Sequence, residues 1–478
     1  MLQNEIKNRL IALQGGFVFK RKAMEKLVFW KEHKNKQAML VDGARQVGKT
    51  SLVEEFGRTN YEHMVEINFI DMPDARRAAD NAQNADDLFL AISAYAQDEI
   101  IPGKTLIFLD EIQTCRDVVT MIKFLVSRYD DYDFVLSGSL LGVEAKSVES
   151  VPVGFLDSIT MYPMDFEEYC WANKVPGNVW NEVRLAHKEK RSVNEAVHRR
   201  MTDLFHDYLL VGGMPDAVSV FLEQHNIQSL RARQQAIVNR YREDISQYAE
   251  NLTQARNIRR IFDLIPSELN QQNKRFRVTS LDKHARMERN ENNFLWLADA
   301  GVALPSYNVE EPRYPLMLSM QSRLFKLFMN DVGLLTCMCG MNVVRDLLND
   351  RTDINFGALY ENVVAQELRA HGFPLYYFKN NTIGELDFVV ESAAGRVVPV
   401  EVKSGKGYRR HHAIDKALAT PNYGMERGIV FAESNVECMK NIDYLPIYMV
   451  SQLIFDDSWE SVLQLLPVDF TLVDGLVA

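Results

Sequence analysis

The run Gly43-Ala44-Arg45-Gln46-Val47-Gly48-Lys49-Thr50 has the spacing G-x-x-x-x-G-K-[ST], which suits a backbone wrapped around phosphate. The glycines let the chain fold closely, amides at a helix start point at the negative charge, the Lys49 ammonium neutralises it, and the Thr50 hydroxyl can ligate magnesium. The string carries this meaning only between a strand and a helix, and both are present. Apolar Ala38 to Val41 precedes it, and Ser51-Leu52-Val53-Glu54-Glu55-Phe56 continues it as a helix. Residues Gly43 through Ser51 are therefore expected to bind ATP with Mg2+.

A second run, Leu106-Ile107-Phe108-Leu109-Asp110-Glu111, reads as a buried strand ending in two carboxylates. Beside a phosphate loop, Asp110 is expected to hold the magnesium shell with Thr50, and Glu111 to polarise the attacking water. Lys49, Asp110 and Glu111 are the expected catalytic set. Phe134-Val135-Leu136-Ser137-Gly138-Ser139 is a further strand whose polar end, Ser137 and Ser139, is a candidate sensor of the terminal phosphate; serine after a strand is also an ordinary turn residue.

A third constellation lies near the C-terminus. Strand alternation puts Glu401 and Lys403 of Glu401-Val402-Lys403 on one face, an earlier strand, Glu385-Leu386-Asp387-Phe388-Val389-Val390, delivers Asp387, and a helix carries Glu361. Carboxylates near a lysine are what metal-assisted phosphodiester cleavage requires. The E-x-K spacing has no weight alone, since Glu5-Ile6-Lys7, Glu32-His33-Lys34 and Glu144-Ala145-Lys146 share it. The order helix, strand, strand favours a site, and a salt-bridged pair at a strand end fits these residues equally. The following Lys406, Arg409, Arg410, His411 and His412 form a basic cluster that reads either as phosphate contact or as a solvated loop.

The elements that must position these groups follow from periodicity. Strands are expected at Ala38 to Val41, Met64 to Phe69, Leu106 to Leu109, Phe134 to Leu136 and Ile159 to Tyr162, alternating with helices as in a parallel sheet. Charged helical sequence follows, as in Val193 to Leu210 and Ile227 to Tyr248, broken by the turn Gly212-Gly213-Met214-Pro215. Helical Ser280 to Met287 and Asn293 to Gly301 with strand Val302 to Tyr307 are compatible with a small winged-helix unit. A helix from Gly357 to Ala370 and strands at Leu375 to Phe378, Leu386 to Val390, Val397 to Val402 and Gly428 to Phe431 then form a second α/β region. The expected division is residues 1–165, 166–260, 261–350 and 351–478.

At 478 residues with 47% hydrophobic and 25% charged composition, the chain is of globular type. Its net charge of −11 argues against a surface that binds nucleic acid all over, so any such contact is local. The five cysteines, Cys115, Cys170, Cys337, Cys339 and Cys438, make no paired CxxC and read as reduced thiols of a cytoplasmic protein. Neither a signal-peptide core nor a run of about eighteen apolar residues occurs, so no membrane partner is expected.

Together these segments resemble a prokaryotic family of AAA-type ATPases whose C-terminal part is a domain of uncharacterised function with a restriction-endonuclease-like fold. The matching stretches are Asp42 to Thr50, Leu109-Asp110-Glu111-Ile112-Gln113, Ser137-Gly138-Ser139, Met161-Tyr162-Pro163-Met164-Asp165-Phe166-Glu167-Glu168-Tyr169, Tyr208 to Pro215, Gly384 to Val389 and Glu401-Val402-Lys403-Ser404-Gly405. The resemblance implies an α/β fold: an ATPase core on a five-stranded parallel sheet, a helical and winged-helix middle, and a PD-(D/E)xK-like terminus. Relatives often carry a basic residue after the Val-Gly before the fifth strand, whereas this sequence reads Val153-Gly154-Phe155. Arg240 and Arg242 are candidates for an arginine finger. Three functions follow: a magnesium-dependent ATPase moving its C-terminal domain, an ATP-gated DNA nuclease or DNA-binding protein using Glu361, Asp387, Glu401 and Lys403, and a slow nucleotide-dependent regulator of a protein partner. A homo-oligomer is compatible with each.

Overall fold

The structure, a computed structural model, describes residues 18–34, 37–139, 154–281, 286–348, 356–392, 395–405 and 407–453. Five strands, β1 (Ala38–Gly43), β2 (His63–Asn68), β3 (Thr105–Asp110), β4 (Asp133–Gly138) and β5 (Leu156–Met161), form a parallel sheet in the order β2-β3-β4-β1-β5. All five coincide with expected strands. Every residue of β3 and β4 is buried, as for strands covered on both faces. Leu106 and Phe108 face one core and Ile107 and Leu109 the other. Register aligns Asn68 with Asp110 and Asp42 with Gly138, so polar groups of neighbouring strands meet at the carboxyl edge, where ligands of open parallel sheets bind.

The helices Glu195–Val211 and Ile227–Tyr248 follow, close to their expected spans. Farther on, the helix runs Met287–Asp299 and a short 3-10 turn occupies Val278–Ser280; residues 282–285 of the expected Ser280 to Met287 helix lie outside the described residues. The next strand, β6 (Ala303–Val309), forms as expected. It does not stand in a small sheet of its own but pairs with β7 (Met320–Met329) and β8 (Tyr376–Asn380). The middle and C-terminal segments thus share one sheet of eight strands, ordered β12-β13-β11-β10-β9-β8-β6-β7. Its other members are β9 (Gly384–Glu391), β10 (Val397–Lys403), β11 (Gly428–Ala432), β12 (Glu437–Met439) and β13 (Ile442–Pro446).

The helix Gly357–Ala370 is buried from Ala358 to Leu368 without a break, because it has neighbours on all sides. Its Val363, Val364 and Leu368 join a core that continues from Met39, Val41 and Phe108 of the first sheet to Val400 and Phe431 of the second. Among the described residues no helix is long and apolar enough to cross a membrane. All five cysteines are free thiols.

A candidate nucleotide site and a second charged cluster

The chain leaves β1 through Gly43, whose φ is +140° and where a side chain would meet the Met161 carbonyl oxygen at 2.2 Å. Only glycine fits there. The loop re-enters a helix, Lys49–Asn60, through Gly48 at φ +93°. Lys49 is 8% exposed and donates to the carbonyls of Gly43 at 2.8 Å and Ala44 at 2.9 Å. Burial pushes its ionisation down to about 8, against the opposing pull of Glu111, Asp42 and Asp110. Arg45 and Gln46 line the cleft with Thr50 and Ser51, whereas Ala44 and Val47 pack inward.

The Thr50 hydroxyl donates to Asp110 Oδ2 at 3.1 Å. Asp110 also accepts from Asn68 Nδ2 at 3.0 Å, from the Glu111 amide at 3.0 Å, and closely from Ser137 Oγ. Glu111 follows at φ +57°, a left-handed backbone costing on the order of 1 kcal/mol for a residue with a β-carbon; this turn aims the two carboxylates differently. Ser139 is buried and accepts from Arg45 Nε at 3.1 Å. Arg45 also pairs with Asp244 at 3.2 Å and reaches the Tyr248 hydroxyl at 3.2 Å, which ties the loop to the helix Ile227–Tyr248. A cleft of about 410 Å³ is lined by Lys49, Thr50, Glu111, Pro215 and Arg233, the last 3.7 Å from Asp216.

The sequence-derived set Lys49, Thr50, Asp110, Glu111, Ser137 and Ser139 is thus gathered at one sheet edge. Ser137 is committed to Asp110 and Ser139 to Arg45. Sequence reasoning missed Asn68, Gln113, Arg21 and Arg233; for Asn68 a polar residue ending an apolar strand was the available signal. Arg240 and Arg242 pair with Glu243 at 3.1 Å and Asp263 at 2.8 Å, and the arginines lining the cleft are Arg45 and Arg233. Phe155 sits exposed before β5, and Val153 lies outside the described residues.

Residues 35–170 match the family described as AAA domain. The match covers 136 of the 478 residues. Two further matches, residues 202–345 and 356–450, are to domains of unknown function, DUF8612 and DUF4143. No curated protein matches the sequence. Among solved structures the chain is similar to the Walker-type ATPase PABY2304 of Pyrococcus abyssi, 14% identical, covering 67% of this chain and 96% of that one at a TM-score of 0.40. It is also similar to the Orc1 protein of Aeropyrum pernix in complex with DNA, with 13% identity, 68% and 92% coverage and a TM-score of 0.27. For Cdc6p from Pyrobaculum aerophilum the values are 11%, 70% and 96%, and 0.26.

Outside the stretch 35–170, the candidates Glu361 and Asp387 gather around a residue the sequence did not single out. Lys326, 1% exposed, lies 2.8 Å from Glu385, 3.5 Å from Glu361 and 4.0 Å from Asp387. Burial works against its charge, but these three carboxylates hold its ionisation well above the usual lysine range. Lys274 pairs closely with Glu361. Burial, with Glu361 adding, pushes Asp387 up to about 7, and its Oδ2 accepts the Val402 amide at 2.9 Å. Glu401 and Lys403 share a face as expected and pair closely with each other. Glu361, Asp387 and Glu401 do not form a set with ligand atoms within 4.8 Å of one another; among the described residues the only trio that does is Asp165, Glu367 and His371. In that trio the Lys22 ammonium, 2.7 Å from Asp165 and 3.3 Å from His371 Nε2, already supplies the cation. Of the basic cluster, Arg409 pairs with Glu437 at 2.8 Å and buried His411 bonds the Tyr444 hydroxyl at 2.6 Å, which favours the loop reading; Lys406 lies outside the described residues.

Arg21 and Lys22, which precede β1, staple parts of the stretch 35–170 to one another, and Lys22 also reaches His371 at 3.3 Å. Arg21, 7% exposed, donates to the Val47 carbonyl of the phosphate loop at 2.7 Å, to the Tyr162 carbonyl at 2.7 Å and to Glu168 at 3.0 Å. The Lys22 amide donates to Glu168 at 2.6 Å. From the other side, Glu367 of the helix Gly357–Ala370 accepts the Phe166 amide at 2.8 Å, and burial pushes its carboxyl well up, with Asp165 adding.

Proposed function

We propose that this protein hydrolyses ATP with magnesium and uses nucleotide state to reposition its C-terminal α/β region. The observation that supports this best is the meeting of Thr50 and Asp110 at 3.1 Å beside Lys49 and Glu111. The residues fit the ligand: glycine-only backbone at Gly43 cradles a phosphate chain, and Thr50 with Asp110 is the hard-oxygen pair that would hold magnesium. When bound, magnesium neutralises charge on the phosphate oxygens.

The protein's own groups divide the remaining work. Lys49 exchanges its bonds to the Gly43 and Ala44 carbonyls for phosphate oxygens, and the helix Lys49–Asn60 presents its first amides. Asn68 and Ser137 fix the Asp110 carboxylate. Glu111, outside that network, takes the proton of the attacking water. Arg233, which lines the cleft, exchanges its Asp216 partner for the phosphates. Coupling to the C-terminal region runs from Arg21, which reads the loop at Val47 and meets Glu168, through the adjoining Lys22, which bridges Asp165 to His371 at the end of the helix Gly357–Ala370.

A DNA nuclease at Glu361, Asp387, Glu401 and Lys403 is the less supported reading: Lys326 and Lys274 pair with Glu361, Lys326 lies 4.0 Å from Asp387, and Lys403 pairs with Glu401. Phosphate release from the purified protein tests the proposal. Lys49→Ala is expected to lower it by about a hundredfold, the scale of losing one transition-state charge contact. Equal rates in both proteins would remove the idea.

A further inference from the structure

Gln113 stands in a 3-10 turn, Ile112–Thr114, directly after the two site carboxylates, and is only 4% exposed. Its side-chain Nε2 donates closely to Glu111 Oε2 and approaches Ser139 Oγ at 3.5 Å. A carboxylate only accepts, so the amide must turn its nitrogen to Glu111. The contact therefore has a defined sense. Ser139 in turn accepts from Arg45, which is held by Asp244. The Glu111 carboxylate, unlike its amide, takes no part in the bonds that fix Asp110, and its backbone is left-handed; Gln113 is the side chain that restrains it.

We propose that Gln113 is a positioning residue for ATP hydrolysis, holding the Glu111 carboxylate where it meets the attacking water and linking it to Ser139 and Arg45. This rests on the ATPase reading above. A buried amide in a turn also fills space, and the two roles separate by what replaces it. Gln113→Leu keeps bulk and removes the donor. Gln113→Glu keeps shape and replaces the donor with a second acid.

The experiment measures phosphate release, KM for ATP and thermal melting for the full chain and for Q113L, Q113E, E111Q and E111Q/Q113L, with K49A as control. Both Gln113 variants are expected to lose about ten- to a hundredfold in kcat, the cost of a displaced reacting group, with KM unchanged; the melting temperature is expected to hold in Q113L and to fall in Q113E, which buries a second acid beside Glu111. In the E111Q background, Q113L is expected to add nothing, because its effect passes through Glu111. Turnover in Q113L or Q113E within twofold of the parent, or an equal loss from Q113L with and without Glu111, would overturn the role of Gln113 while leaving the ATPase reading intact. Absence of any Lys49-dependent turnover in the parent protein would instead overturn both.

Discussion

Lys49 shows how a single ionisable group carries the function of its loop. Its ammonium is buried against two carbonyls, and burial brings its ionisation down to about 8. A phosphate arriving beside it favours the charged form and raises that value again. At pH values above 8 the free protein holds a neutral lysine, so ATP binding must take up a proton; below about 7 it takes up none here. Calorimetry of ATP binding in buffers of different ionisation enthalpy is expected to show proton uptake growing through pH 8 and affinity falling as the pH rises further. The same series with Lys49→Ala is expected to lose that component of the uptake. Constant proton uptake across the range would contradict the assignment of a perturbed lysine.

At the scale of elements, the turn Gly212-Gly213-Met214-Pro215 is held between two others. The Met164 amide donates to Gly213 O at 2.7 Å, while Asp331, wholly buried, accepts the Gly213 amide at 2.6 Å and caps the helix Val332–Cys339 through the Leu334 amide at 2.8 Å. A side chain at Gly212 would meet Asp331 Oδ1 at 2.2 Å, and Pro215 next to this turn packs by Gly48 of the phosphate loop. Asp331→Ala removes a helix cap, about 1 kcal/mol, and leaves a buried amide without its acceptor, about 1–3 kcal/mol. A urea midpoint shift corresponding to about 2–4 kcal/mol is expected, with cleft contacts by Pro215 loosened and ATP affinity reduced. The turn was legible as a break in helical sequence; its acceptor, more than a hundred residues away at |i−j| 118, was not.

Across the whole molecule, one core runs from the first sheet through the helix Gly357–Ala370 to the second sheet, and Lys22, next to Arg21, joins Asp165 to His371 at that junction. Arg21 touches the phosphate loop and Glu168 at once. Arg21→Ala is therefore expected to keep ATP binding but to abolish the ATP-dependent slowing of amide hydrogen exchange in residues 357–370. Exchange of that helix responding to ATP equally in both proteins would exclude Arg21 as the connection.

What the sequence determined by itself was local and periodic. The five strands of the first sheet, the phosphate loop and the strand-tip pair Asp110 and Glu111 were readable because strand burial and glycine geometry are set within a few residues of chain. The second α/β region was readable for the same reason, and so was the shared face of Glu401 and Lys403. Only the tertiary structure decided which charges meet. It brought β6 and β7 from the middle segment onto the C-terminal sheet and with them Lys326, which stands among Glu361, Glu385 and Asp387. It also set Arg21 against a loop and a helix from distant segments. Coulombic partners are chosen by proximity in space, and no periodicity along the chain encodes that distance.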